Sequence, residues 1–250
     1  MSNWLNPDNK FFTFMGKAFD IVVLNTIWLL ICLPLPMLTV VWAMQSGILA
    51  LLVLTVVTIL PIVPATTALY YAVVKSIRRE RSYAIKEYFR SFKRNFKQGC
   101  LFSLIAMVLV FVLYIDFRYA RELMNAGNAS GSTYFGVFIV IGLLFSAMFA
   151  YICPLLSRFE MKITGLLKTS FVMATRHLLT TIVLLVLLAG VLLGCYIILP
   201  GVFFMPAVAT LLASFMIERV FKKYMPAKEE PELGPGGEEI GQEKDEWYLE

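Results

Sequence analysis

A chain of 250 residues that is 59% hydrophobic and only 16% charged is far more apolar than a soluble globular domain, where roughly 45–50% is ordinary. Its 22 Lys and Arg exceed its 17 Asp and Glu, giving a formal net charge of +5. That composition excludes soluble packing, and the single histidine, His177, excludes metal sites built from several histidines.

The apolar residues fall in runs close to the roughly 20 residues that a helix needs to cross a ~30 Å hydrocarbon core. Helices are required because lipid cannot satisfy open backbone groups. The expected fold is all-α, a polytopic transmembrane helix bundle of about six spans with short cytoplasmic amphipathic helices between them. In chain order the spans read Phe19–Trp42, Gly47–Val74, Cys100–Tyr119, Tyr134–Leu156, Thr181–Leu199 and Val202–Ile217. Met1–Asp20 has no basic stretch ahead of a short apolar core, so the first run is expected to stay as the first helix and not to be a cleaved signal peptide.

The last two runs are separated only by Leu199-Pro200-Gly201 and Pro206, and they read either as two spans or as one kinked helix. Charge favours two. With six spans, 20 of the 22 basic residues lie on one side, and only Arg118 and Arg121 lie on the other. Five spans would strand Arg219, Lys222, Lys223, Lys228 and Lys244 outside, against the positive-inside bias. The expected location is therefore the bacterial cytoplasmic membrane, multi-pass, with both termini cytoplasmic. Residues 1–225 form the membrane domain. Residues 226–250 hold nine of the 17 acidic residues and are expected to be an acidic, disordered cytoplasmic tail.

Two connectors stand out. In Tyr83–Lys97 the residues Ile85, Tyr88, Phe89, Phe92 and Phe96 form one helical stripe, with Lys86, Arg90, Lys93, Arg94 and Lys97 mostly opposite. Phe89, Arg90, Phe92, Lys93, Arg94 and Phe96 are the core of an expected interfacial helix lying along the membrane, with the bilayer and its anionic lipids as partner. Clamping between two spans argues against nucleic acid. In Met161–His177, Ile163, Leu166, Leu167, Ser170, Phe171 and Ala174 recur at helical spacing, with Lys162, Lys168 and Arg176 off that face. The units Pro64–Tyr114 and Pro154–Tyr196 share an order of Pro, basic connector and span, which is compatible with a parallel repeat or with convergent membrane re-entry.

Chemistry is sparse. Cys32, Cys100, Cys153 and Cys195 all fall in spans without a CxxC pair and read as small apolar residues. His177 reads as a positional residue beside Arg176. No acid falls at a midplane, and Asp20, Asp116, Glu160 and Glu218 are expected near span ends, which disfavours ion-coupled transport. Arg158, Glu160, Arg176 and Glu218 are candidates for an interhelix charge network, the alternative being that each faces water. Pro61–Thr67 reads as a kink or as the lining of a cavity. Asn25, Gln45, Thr55, Thr58, Thr66, Thr67 and Ser103 read as helix-packing groups, the alternative being hydrogen bonds to a neutral solute.

The ordered segments Asn25–Pro34, Pro64–Lys75, Tyr88–Gln98, Pro154–Glu160, Ala174–Leu178 and Leu211–Tyr224 resemble the YesL family of bacterial membrane proteins, domain of unknown function 624. The resemblance runs from about Phe11 to Tyr224, with Leu35–Leu60 as an insertion relative to the family's usual first turn. It implies an integral membrane protein often encoded beside carbohydrate uptake and degradation systems, and it supplies no catalytic residues. The expected function is thus a non-enzymatic accessory or regulator of carbohydrate ABC uptake, with ABC transporter subunits as partners and with no cofactor or metal. The alternatives are a stand-alone small-solute transporter or channel and, third, an intramembrane enzyme.

Overall fold

A computed structural model of the chain describes residues 10–32, 56–78, 83–197, 201 and 203–224. The acidic segment 226–250, residues 33–55 of the first two spans and the Pro200 turn lie outside the described residues. Among the described residues the structure is helical apart from short turns and connectors, with no strand. In order the helices are α1 (Lys10–Cys32), α2 (Ile62–Ala72), α3 (Ala84–Asn125), α4 (Ser130–Arg158), α5 (Ile163–Arg176), α6 (Leu178–Ile197) and α7 (Met205–Phe221). A π-helical turn, Val73–Arg78, continues α2.

Five helical segments are long and apolar enough to cross a membrane: Phe14–Cys32, Val56–Arg78, Ala84–Asn125, Ser130–Arg158 and Leu178–Ile197. The sixth apolar run is the 17-residue α7. Its separation from α6 answers the question left by the Pro200 region, because the two helices fold back on each other. A Cβ on Gly194, near the end of α6, would lie 2.6 Å from the Met205 sulfur at the start of α7. At the other end, His177 Nε2 is 3.0 Å from the Tyr224 hydroxyl. These contacts define an antiparallel pair and not one kinked helix.

The segment around α2 is the central post. Its apolar stretch is 67% buried, against 11–17% for the other four. Small residues make this possible, since Ala65, Ala68 and Ala72 are fully enclosed. Pro64 has no N–H with which to reach the Leu60 carbonyl four residues back. Ser103 of α3 repairs that gap by donating its hydroxyl to the Leu60 carbonyl at 2.9 Å, and it accepts the Val63 N–H at 3.2 Å. Gly99 permits the approach, because a Cβ there would sit 2.9 Å from three atoms of Pro64. The proline segment is therefore a packed, stitched helix start against α3.

Helix α3 runs 42 residues without interruption, about 63 Å at 1.5 Å per residue. It therefore outreaches a ~30 Å hydrocarbon core. This corrects the expectation of a separate interfacial helix: residues 84–97 are the first third of α3, and nothing breaks the helix before Cys100. The local reason is that Gly99, the one weak helix former at the junction, faces Pro64 and is held by packing. Helix α3 ends in a Schellman turn, with Gly127 at φ 72° and the Asn128 and Gly127 N–H groups donating to Leu123 and Met124 carbonyls at 3.1 Å. It then returns as α4, with Phe117 packed on Phe135 and Phe138. Gly131 sits so close to Met124 that a Cβ would lie 2.6 Å from its backbone nitrogen.

The second connector is a separate helix. The chain is extended at Phe159 and Lys162, helical over Ile163–Arg176, and turns again at His177. The two proposed repeat units therefore differ in form: one connector merges with its span and the other does not. The four cysteines are free thiols on α1, α3, α4 and α6.

Candidate functional site

The π-turn that ends the α2 segment is packed by α1, α3 and α7, so consecutive residues face protein on every side. Lys75, Ser76 and Ile77 are all buried. π-turns inside longer helices are often found at functional positions, and this one carries a lysine into the bundle. Lys75 Nζ lies 3.5 Å from Glu87 Oε2 of α3, and each side chain is only 3% exposed. Arg90 approaches the same carboxylate from outside at 4.0 Å.

A second buried pair joins α4 to α7. Arg158 meets Glu218, at 0% and 2% exposure, and Tyr70 of α2 donates its hydroxyl to the other carboxylate oxygen at 3.2 Å. Three helices are thus tied through one carboxylate. Tyr71 lies beside two cations, with Lys75 Nζ 5.8 Å and the Arg94 guanidinium 5.5 Å from its ring centre. Arg94 also donates to the Ser157 carbonyl at 3.2 Å, and Gln98 to the Met161 carbonyl at 3.3 Å. Arg78 donates to the Ser214 carbonyl at 2.8 Å and stacks on Phe215.

These contacts gather the basic stretches from α2, α3, α4, α5 and α7 at one end of the bundle. The geometry also shows that the α2–α3 pair projects past α4. Glu87 faces Lys75, whereas Arg94 already faces the end of α4 at Ser157. The seven-residue difference on α3 corresponds to about 10 Å.

Of the four candidates for a charge network, the structure brings Arg158 and Glu218 together and leaves Glu160 and Arg176 out. Glu160 is exposed beyond the end of α4. Its neighbour Phe159 takes the inward place, packing edge-on against Phe221 with ring centres 5.4 Å apart. Arg176 is exposed and lies 6.0 Å from the Tyr224 ring. Glu218 lies in the last turn of α7, as expected of an acid near a span end, and it is enclosed there, as is Glu87 on α3. Lys75, Glu87 and Tyr70 were missed as site residues. The available signal was that Glu87 is the only acid in the otherwise basic Tyr83–Lys97 stretch.

The expected interfacial residues also divide differently. The buried face of 84–103 is Ala84, Glu87, Tyr88, Ser91, Asn95, Gly99, Phe102 and Ser103. Phe89, Arg90, Lys93, Arg94 and Phe96 are exposed and Phe92 is half-buried. Deeper in the bundle, Asn25 accepts the Ala207 N–H at the start of α7 at 3.0 Å, and Trp28 donates to the Thr66 hydroxyl at 3.2 Å. Among the described residues, no group of three or more His, Cys, Asp or Glu could hold a metal ion.

The all-helical fold and its five long apolar segments define a helical membrane protein. The family profile described as "Protein of unknown function, DUF624" matches residues 21–117. The chain is 26% identical over 137 residues to "Uncharacterized protein YesL" of Bacillus subtilis (strain 168), a match covering 55% of this chain and 62% of that relative. The chain thus spans less than two thirds of that relative's length. Both matches are likenesses over part of the chain to YesL-like DUF624 proteins. No solved structure matches it.

Proposed function

We infer that the chain is a non-enzymatic accessory of the bacterial cytoplasmic membrane, its basic end and both termini inside, that docks and positions subunits of a carbohydrate ABC uptake system. The observation that supports this reading is the closure of the buried charges. Lys75 with Glu87, and Arg158 with Glu218, are spent on holding helices together, while Lys162, Lys168, Arg176, Lys222 and Lys223 are displayed outward at the same end. A rigid body with a cationic face suits a docking element. Carbohydrate uptake enters through the family resemblance.

The test is affinity purification of the full chain from its native membrane in mild detergent, with cells grown on complex sugars, followed by mass spectrometry. Stoichiometric recovery of one ABC permease is expected, and the K162E/K168E variant should reduce it. Recovery of the chain alone under every condition would reject the accessory reading. A second reading, a stand-alone transporter, draws on the polar groups Asn25, Thr66 and Ser103 around the Pro64 segment. Solute flux in liposomes containing only this chain would favour it.

A further inference from the structure

Helix α3 carries one face that changes character along its length. Lys86, Arg90, Lys93, Lys97, Leu101, Leu104, Val108, Phe111 and Ile115 follow one another at steps of three or four residues, so all nine lie on one side of a continuous helix. Eight of the nine are exposed and Leu104 is half-buried. The apolar half is well outside the bundle, with Val108 55%, Phe111 63% and Ile115 49% exposed. The switch from cations to hydrocarbon falls within the single turn between Lys97 and Leu101.

The opposite face is where α3 meets the bundle, through Glu87, Ser91, Asn95, Gly99 and Ser103. The cations therefore point in the direction of the exposed apolar side chains of the same helix, outward from the bundle. A surface that is apolar for four turns and cationic for three, in line, has the order of an anionic lipid's acyl chains and headgroup. Ile85, Phe89 and Phe96, each more than 40% exposed, flank the cationic part, as side chains at a membrane interface do. Of the four cations, Arg90 lies 4.0 Å from an acid, Glu87, whose carboxylate is also held by Lys75.

We propose that this face of α3 is a binding track for anionic phospholipid, with Lys93 and Lys97 holding the headgroup phosphate and Leu101 to Ile115 lying along the acyl chains. It differs from the general attraction of a basic end to an anionic leaflet because it is confined to one face. Lys162, just before α5, and Lys168 on it are also exposed, but α5 is a separate 14-residue helix that ends at Arg176 and shares no continuous helix with a span. Lys93 and Lys97, nearest the switch, contribute more than Lys86.

The experiment is native mass spectrometry of the full chain in mild detergent at fixed salt, titrated with phosphatidylglycerol and with phosphatidylcholine of the same acyl chains. The wild-type chain is expected to retain phosphatidylglycerol preferentially. The K93Q/K97Q variant should lose about fivefold of that preference per cation removed while unfolding at the wild-type temperature, and K162Q/K168Q should keep it. Equal retention of the two lipids by the wild type overturns the proposal. So does an equal loss in K162Q/K168Q, which would mean a diffuse field. A preference that emerges only after truncation at Tyr224 would assign the face to the acidic segment 226–250 and would overturn it as well.

Discussion

The two basic connectors, 84–97 and 163–176, read alike in the sequence and pack differently. The second behaves as a globular amphipathic helix: Leu166, Ser170, Met173 and Ala174 are buried, and Lys168 and Arg176 face out. The first buries Glu87, Ser91 and Asn95 alongside Ala84 and Tyr88, and leaves Ile85, Phe89 and Phe96 outside. The difference follows from what each helix is joined to. Residues 84–97 share their backbone with a span whose inner face is fixed by Pro64 and Ser103, so their inner face is dictated by helical register and not by hydrophobicity. Residues 163–176 are released by extended backbone at Phe159 and Lys162 and can turn their apolar side inward. Amphipathicity selects a face only where the helix is free to rotate.

The strongest way to break this contrast is to remove the acid that the first connector buries. Glu87→Ala removes the carboxylate that faces Lys75 in an enclosed site, and losing one partner of a buried pair costs about 3–5 kcal/mol. A large fall in thermal unfolding temperature in detergent is expected. The double variant K75M/E87L should recover most of it, because a hydrophobic replacement of similar volume is often neutral. Single-variant stability equal to wild type would mean that the pair does not hold α2 to α3.

That pair also marks how far the sequence could be read. The apolar runs and the separation of α6 from α7 were legible, because lipid imposes length and composition one segment at a time. The inward turn of Lys75 was not, since it depends on a π-turn packed by three helices that are distant in sequence. The pairing of Arg158 with Glu218 was visible as a candidate. The exclusion of Glu160 and Arg176 was not, because it turns on Phe159 taking the inward position against Phe221. The continuity of α3 was missed for a similar reason. Gly99 looks like a helix break in one dimension and is a contact point in three.

A second cut tests the other connector. Leu166 is fully buried in the main core cluster, so Leu166→Ala should cost about 2–5 kcal/mol through lost burial and an unfilled cavity. Phe89→Ala, on the exposed face of the first connector, should change unfolding in detergent by no more than about 0.5 kcal/mol. Equal destabilisation by the two substitutions would contradict the different packing of the two helices.

The glycines sharpen the comparison at a smaller scale. A Cβ at Gly99 would press on Pro64 at 2.9 Å, including its backbone nitrogen, whereas at Gly165 of α5 the nearest atom outside the helix backbone is Met161 Cβ at 3.8 Å. Gly99→Ala is therefore expected to destabilise by about 1–3 kcal/mol through overpacking. Gly165→Ala should stabilise by up to about 1 kcal/mol through helix propensity. Opposite signs in unfolding temperature are the expected outcome.

The smallest effect concerns the joint that frees the second connector. His177 ends α5, its ring meets Tyr224, and its pKa is lowered from the usual value of 6.5 by burial first and then by the nearby Lys223 and Arg176 cations. A lowered folded-state pKa means that the unfolded chain takes up the proton more readily. The resulting stability is present above pH 6.5 and is lost as the pH falls through the lower folded value. Unfolding temperatures measured from pH 8 down to pH 5 should decline on the acid side more steeply in the wild-type chain than in His177→Asn, which has no proton to gain there. The first connector has no such joint, so within this comparison the acid sensitivity belongs to the end of α5. Identical pH profiles for the two proteins would remove His177 from that role.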